Sequence, residues 1–450
     1  MKIKKMVVII IILLIAFTSS ACNKVKEATE PVEIHFLVDV PKSLVPLGPD
    51  ATFYTDAVEN FHTINPLITV ILDYLPESII KRTEQGTFFS FLPDDTEKLL
   101  ESKESPDILG ISLADLSVID KKGLLFDLLK ISGSEKIDIN KQILGLATRD
   151  GKLLTIPFAA HSSAILFNKE LFDAANTPYP QGNWTWEQFR EISKVVNPTK
   201  GPLLNYTIDT LDLLLGSLEK GLLSPDKTTS VGYLDSPEAV RTIQWLNAYY
   251  HDSGQITPIN GGIFPQFDGH QIGMILGGMG TTFSTFMGDN ASKLGVAPLP
   301  HFADGKRANP TSFIGFGISQ NSKHPQEAWE FIKYLTLSKN ADSIKFAGRT
   351  LATSKLMAEA VGQNSDPVKS VYVGELSYAT ISTDYSFFKT WNEDKDLTEQ
   401  FEKLLTTKDE DIPAKLHELA LKIDQALKKA NSVSDDQQTN NTNIPVKDDK

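Results

Sequence analysis

Cysteine is almost absent. The 450-residue chain has one, Cys22, which excludes an intrachain disulfide and a thiolate metal cluster. Positive charge is scarce as well: 44 lysines and arginines face 57 aspartates and glutamates, a net charge of −13. An acidic surface repels nucleic acid, and no basic stripe with interleaved aromatics offsets it. Beyond residue 17 no run is apolar enough to cross a bilayer. Catalytic signatures are missing too. There is no G-x-S-x-G, no H-E-x-x-H and no P-loop. The eight histidines are scattered without ligand spacing. Paired carboxylates such as Asp94-Asp95 lie in polar stretches and read as solvated surface. These absences speak against a nucleic-acid binder, a metalloenzyme and a hydrolase, and call for no cofactor.

What is present starts at the N-terminus. Lys2, Lys4 and Lys5 precede an apolar run from Met6 to Phe17, shorter than the roughly 20 residues a spanning helix needs. Small residues, Ser19-Ser20-Ala21, then lead to Cys22. That is the layout of a secretion signal. It resembles a bacterial lipoprotein lipobox, with Ser19 where leucine is usual. Residues 1–21 are therefore expected to be removed, Cys22 to be lipidated, and 22–32 to form a polar tether. Each buried CH₂ of an acyl chain adds about 0.8 kcal/mol, so two chains anchor firmly. Loss of the three lysines takes the net charge from −13 to −16. Asn431 to Lys450 is expected to be a disordered tail. The globular part, from about Glu33 to Ala430, is long enough for two domains.

Within it, β-branched runs alternate with amphipathic ones, the order of parallel βαβ units. Ile34–Val38, Ile68–Leu72 and Pro106–Gly110 read as strands; Ala57, Val58 and Phe61 mark a helix between the first two. Leu113 to Asp127 reads as helical, with Gly123 marking its end. Asp150-Gly151 is a turn, and Asn168 is a helix N-cap. Thr185-Trp186-Glu187-Gln188 is a capping box. Ser236-Pro237 and Pro325 open further helices. Trp184 and Trp186 read as packing their helix entry, and Trp245 and Trp329 sit in helical patterns as core residues.

Several segments share their order and spacing with one family. Phe61-His62-Thr63-Ile64-Asn65-Pro66-Leu67-Ile68-Thr69-Val70 and Pro106-Asp107-Ile108 are two of them. The run from Gly151-Lys152 through Pro157 to Asn168-Lys169-Glu170-Leu171-Phe172 is another, as are Trp184-Thr185-Trp186-Glu187-Gln188-Phe189 and Gly295-Val296-Ala297-Pro298-Leu299-Pro300. Together they resemble the extracellular solute-binding proteins of ABC importers, the sugar-type family that includes maltose-binding protein. The resemblance spans nearly all of 34–430. It implies an α/β fold of two lobes joined by a three-segment hinge, with a ligand cleft between them. The crossings are expected near 157–162, 293–297 and 347–352. Residues 33–158 with 296–348 would then form the N-terminal lobe, and 159–295 with 349–430 the C-terminal lobe. It further implies a monomer on the outer face of the cytoplasmic membrane, held by the Cys22 lipid and delivering its solute to permease subunits. An adhesin, scaffold or sensor partner on the same fold is the alternative.

Family contacts come from loops at strand ends and from the crossings. That points to Asp39 and Ser112 after two strands, and to His161 and Ser162 at the first crossing. It also points to Asp209 in the second lobe, to Met279 and Gly280, and to Arg349 near the third crossing. Carboxylates and imidazoles suit hydroxyl-rich solutes, whereas Arg349 could fork onto an acidic group. Gly278-Met279-Gly280 stands where many sugar-binding relatives carry Gly-Pro-Trp. An oligosaccharide is expected first, with a sugar phosphate, polyol or other polar solute left open.

Overall fold

The computed structural model describes residues 30–441 except 44–51, 76–79, 84–85, 90–98, 103, 121, 134, 198–203, 205–207, 254–271, 279–290, 349, 382–386, 388–390, 392–393 and 408–410. Among the described residues no helix is long and apolar enough to cross a membrane.

Two sheets organise the chain. The larger has seven strands. Strand β1 (Val32–Pro41) is followed by helix α1 (Phe53–Ile64) and β2 (Ile68–Leu75), a parallel neighbour in register Val32–Ile68 to Val38–Tyr74. On its other side β1 pairs in parallel with β3 (Ile108–Ser112). The sheet continues through strands from later in the chain. The order across it is β9 (Leu351–Ala352), β4 (Ile156–His161), β8 (Asn309–Ile318), β3, β1, β2. Strand β10 (Ala379–Ile381) adds to the first residues of β8. The smaller sheet has three antiparallel strands, with β5 (Ser163–Asn168) between β6 (Met274–Gly278) and β7 (Leu294–Ala297).

Each sheet carries its own core. Phe36 of β1 lies edge-on to Tyr54, Phe316 and Phe331. In the second core Trp186 and Phe189 of helix α2 (Trp186–Val196) meet Trp245 and Tyr249, whose rings stack 5.5 Å apart. Trp329, on helix α4 (Pro325–Thr336), is fully buried. Trp184 and Trp186 are buried as expected, and Trp245 packs half-buried against the second core.

Local signals read in the sequence recur in place. Asn168 accepts from the backbone N–H groups of Glu170 and Leu171. Thr185 and Gln188 form the reciprocal capping box. Asp150 and Gly151 take left-handed φ values of 46° and 75°, the geometry that sets the turn.

Three boundaries differ from expectation. The helix from Leu113 stops at Asp120, and Gly123 with φ 65° shapes the loop beyond it. The C-terminal helix begins at Ile412 and runs to Asn441. It therefore extends into the tail expected to be disordered from Asn431, where no glycine or proline interrupts it. The strand read over Gly295–Leu299 and expected to cross between the lobes is β7, Leu294–Ala297, and lies wholly within the small sheet.

Candidate functional site

Strands β1, β3 and β4 run in the same direction, so their C-terminal ends share one edge of the large sheet. Open α/β sheets place their ligands at that edge. Ser112 ends β3 opposite Ile314, and His161 ends β4 opposite Ser312. Asp39 belongs to the last part of β1. From the other lobe, helix α3 (Ile208–Gly216) approaches the same place. A Cβ on its Gly216 would touch Ala308 and Pro310 at 3.6 and 3.7 Å. Asp209 stands in the first turn of α3.

His161 and Asp209 share an electrostatic character. Water reaches both side chains. Even so, the protein around them shifts both pKa values toward the neutral form. Burial lowers the His161 imidazole below its ordinary value. Burial also raises the Asp209 carboxyl, against the pull of a backbone hydrogen bond. Each side chain therefore keeps contact with water while losing part of its hydration shell to the protein around it.

Ser162 does not join them. It is buried, and its hydroxyl donates to the Tyr372 carbonyl at 3.2 Å. The reason is the pleat. Successive residues of an extended chain face opposite ways, so His161 and Ser162 cannot both face the cleft. Met279, Gly280, Arg349 and Cys22 lie outside the described residues, as does the side chain of Asp39.

The lobes are joined by three segments. The first passes at Ser162 from β4 in the large sheet to β5 in the small one. The second leaves β7 at Ala297 and reaches the large sheet at Asn309. Along the way Leu299 and Phe302 pack in the small-lobe core. The third comes after β10. Tyr372 of helix α5 (Lys369–Glu375), Leu376 and Ala379 are buried in the large-lobe core, whereas Phe387 and Trp391 belong to the small-lobe core. Two boundaries move accordingly. The second crossing lies at 298–308 rather than 293–297, and the third follows Ile381 rather than 347–352. Residues 351–381 thus join the N-terminal lobe.

Polar groups fill the hinge. Glu375 is almost wholly buried and is paired with the Arg307 guanidinium. That guanidinium also lies over the Tyr378 ring, 3.8 Å from its centre. Asn309 donates to Glu375 Oε2 at 2.8 Å. The carboxyl pKa is nevertheless raised, because burial outweighs the Asn309, Arg307 and Leu299 donors. Tyr372 donates its hydroxyl to the Gly277 carbonyl of β6 at 3.2 Å.

Across residues 88–361 the chain matches the model of a family described as bacterial extracellular solute-binding protein. The chain belongs to that family. The family's location is extracytoplasmic. Known structures share the two-lobe fold of this solute-binding protein. A cyclic alpha-maltosyl-1,6-maltose binding protein from Arthrobacter globiformis superposes with a TM-score of 0.68 at 18% identity, over 89% of this chain and 100% of that one. The sugar-binding protein MalE from Xanthomonas citri gives 0.68 at 16%, over 90% and 99%. UgpB from Mycobacterium tuberculosis, solved with glycerophosphocholine, gives 0.63 at 16%, over 89% and 99%. Among curated sequences, a binding protein of Brucella abortus (strain 2308) is 23% identical over 55% of this chain and 63% of its own length. The arabinooligosaccharide-binding protein of Halalkalibacterium halodurans is 26% identical over 44% and 46%. The solute-binding protein thus spans less than two thirds of these curated relatives.

Arg307, Asn309, Tyr372 and Glu375 escaped the sequence reading. Their only local trace is charge where apolar neighbours dominate, as at Glu375 between Val373 and Leu376. Asn309 and Glu375 are 66 positions apart, and no periodicity links them.

Proposed function

We propose that this protein is the lipid-anchored capture subunit of an ABC importer, taking up an oligosaccharide or a similarly polar solute and delivering it to the permease. The observation that carries this reading is the shared cleft edge. It brings Ser112 and His161 to one end of the large sheet and sets Asp209 on a helix of the facing lobe. Hydroxyl-rich solutes need such directional groups in a partly dehydrated site. Relatives named for oligosaccharide binding point the same way, while UgpB with glycerophosphocholine shows the fold accepting a phosphodiester. Closure follows from differential affinity: a solute touching both lobes binds the closed form better and draws the population there. Anchoring would come from Cys22.

Native mass spectrometry of the purified protein tests the reading through carried-over solute. Calorimetry with arabino- and malto-oligosaccharides, paired with small-angle scattering, tests it through binding and contraction. Absence of any ligand across a broad panel, with no contraction, would leave the surface scaffold as the better account.

His161→Ala is expected to weaken solute binding about tenfold, the size of one hydrogen bond of about 1–1.5 kcal/mol. At neutral pH the urea midpoint should not move. Acid sensitivity follows from the ring's lowered pKa. Affinity should be flat above the ordinary imidazole value of 6.5 and fall only below the ring's own, lower pKa. The unfolded chain takes up this proton first, so His161 withdraws stability as pH drops below 6.5. An acid profile unchanged by His161→Ala would remove the ring from the site.

A further inference from the structure

We propose that Asn309 is the positioning residue of the hinge, one buried amide that ties the first two inter-lobe segments to the helix leading into the third and thereby sets how far the lobes open. The inference goes beyond the transport reading and does not depend on which solute is bound. Asn309 ends the second segment and is fully buried. Its Oδ1 accepts from the Ser163 N–H at 3.0 Å, and its Nδ2 donates to the Ser163 carbonyl at 2.7 Å. Ser163 is the first residue of the small sheet after the first crossing. The same Nδ2 donates to Glu375 Oε2 at 2.8 Å, on the helix that precedes the third crossing.

Both amide hydrogens and the carbonyl oxygen are therefore engaged. The two bonds to Ser163 imitate a strand pairing, with a side chain standing in for a backbone. They sit where β4 has ended and β5 has just begun: the large-sheet ladder stops at His161, and Ser163 opposite Gly278 is the last pair of the small-sheet ladder. Glu375 reinforces the knot. It takes donors from Arg307, Asn309 and the Leu299 backbone, all on the second segment. A pivot needs a point that stays fixed while the lobes rotate, and hinges concentrate their backbone change in a few residues. Asn309 supplies the fixed point, and the rotation falls on the residues flanking it. Removing its bonds frees the three segments to move independently, which widens the range of opening without touching the cleft.

The test uses the ligand-free full chain. In the unaltered protein the Ser163 amide is expected to exchange its hydrogen slowly, as an internally bonded group does. Exchange at the rate of an open loop would overturn the proposal without any variant. Asn309→Leu keeps the side chain's bulk and loses every bond. It is expected to speed Ser163 exchange at least about tenfold, the loss of a protected amide, and to leave Leu166 in the middle of β5 protected. Small-angle scattering of the folded variant should show a larger, broader distribution of dimensions. A merely structural role would lower the urea midpoint and leave the scattering profile as it was, and that result sinks the idea.

Discussion

An Arg307→Met chain is expected to lose about 3–5 kcal/mol of unfolding free energy, the cost of stripping one partner from a buried ion pair. The pair joins two hinge segments. Glu375 keeps 1% of its side-chain surface exposed and Arg307 keeps 19%. Without the guanidinium the carboxylate retains only Asn309 and the Leu299 N–H as donors. Water cannot take over, because the site is closed. The guanidinium's cation–π contact with Tyr378 is lost as well.

The loss carries a pH signature with a definite sign. Glu375 already has a folded pKa above its ordinary 4.5, chiefly through burial. For a carboxyl shifted upward, the folded state binds the extra proton. Stability therefore falls as pH rises through the window from 4.5 to the folded value, and stays low above it. Removing Arg307 raises the folded value further and widens that window. Urea unfolding near about pH 8 should show the full deficit, and near about pH 5 a smaller one. Glu375→Gln in the same background should recover part of the loss at the higher pH. A deficit independent of pH, and untouched by the second substitution, would mean that lost packing accounts for the whole effect.

Gly315→Val should be the other severe change, costing about 3 kcal/mol by overpacking. Strand β8 threads between β3 and β4, and its pairing with β4 shifts register between Ile314 and Gly315. An added Cβ at Gly315 would stand 2.6 Å from the Ile156 carbonyl oxygen and 2.6 Å from Thr155 Oγ1. The first of these is backbone, so no rotamer relieves the clash. Gly315→Ala should already cost most of the amount. Gly145, in the last turn of the short helix Lys141–Leu146 and with open space around its missing Cβ, is the control: alanine there should be no worse than glycine, and in a helix it is favoured by at most about 0.5–1 kcal/mol. Melting temperatures of the three variants check the order. If Gly315→Ala melts with the parent, the close approach of β8 and β4 is more yielding than its geometry implies.

How much of this was legible in the chain depends on the range of the signal. Caps and turns are local, and Asn168, Thr185 with Gln188, and Asp150-Gly151 were read correctly because each is decided within four residues. The two-lobe fold was legible from the order of many weak segments. Membership of a sheet is not local. Leu294–Ala297 is a short apolar run before Pro298, and nothing in it says that its partners are Ile165 to Asn168. The stretch before Tyr372 reads as one more amphipathic passage; only tertiary packing puts Tyr372, Leu376 and Ala379 in the first core. The site shows the same division. His161 stands at the cleft edge, while Ser162 next to it was lost to the pleat. The hinge knot of Asn309 and Glu375 left only a charge among apolar neighbours, because the pairing in a buried polar network is specified by three-dimensional proximity.

Strand β1 has one more consequence. Its first residue meets Ile68 where the chain emerges from the tether, and its last lies at the cleft edge. Nine steps along the ten-residue strand separate the two, about 30 Å at the rise of a strand. The leash and the mouth are therefore at opposite poles of the large lobe. With the anchor at Cys22 as proposed, a lobe hanging straight from the bilayer points its mouth away from it. To turn the mouth toward a permease, the leash must reach back along the lobe's full depth. Residues 22–31 span at most about 33–36 Å when fully drawn out. If Cys22 is the anchor, such a spacer would be just long enough to reach past the depth of the strand.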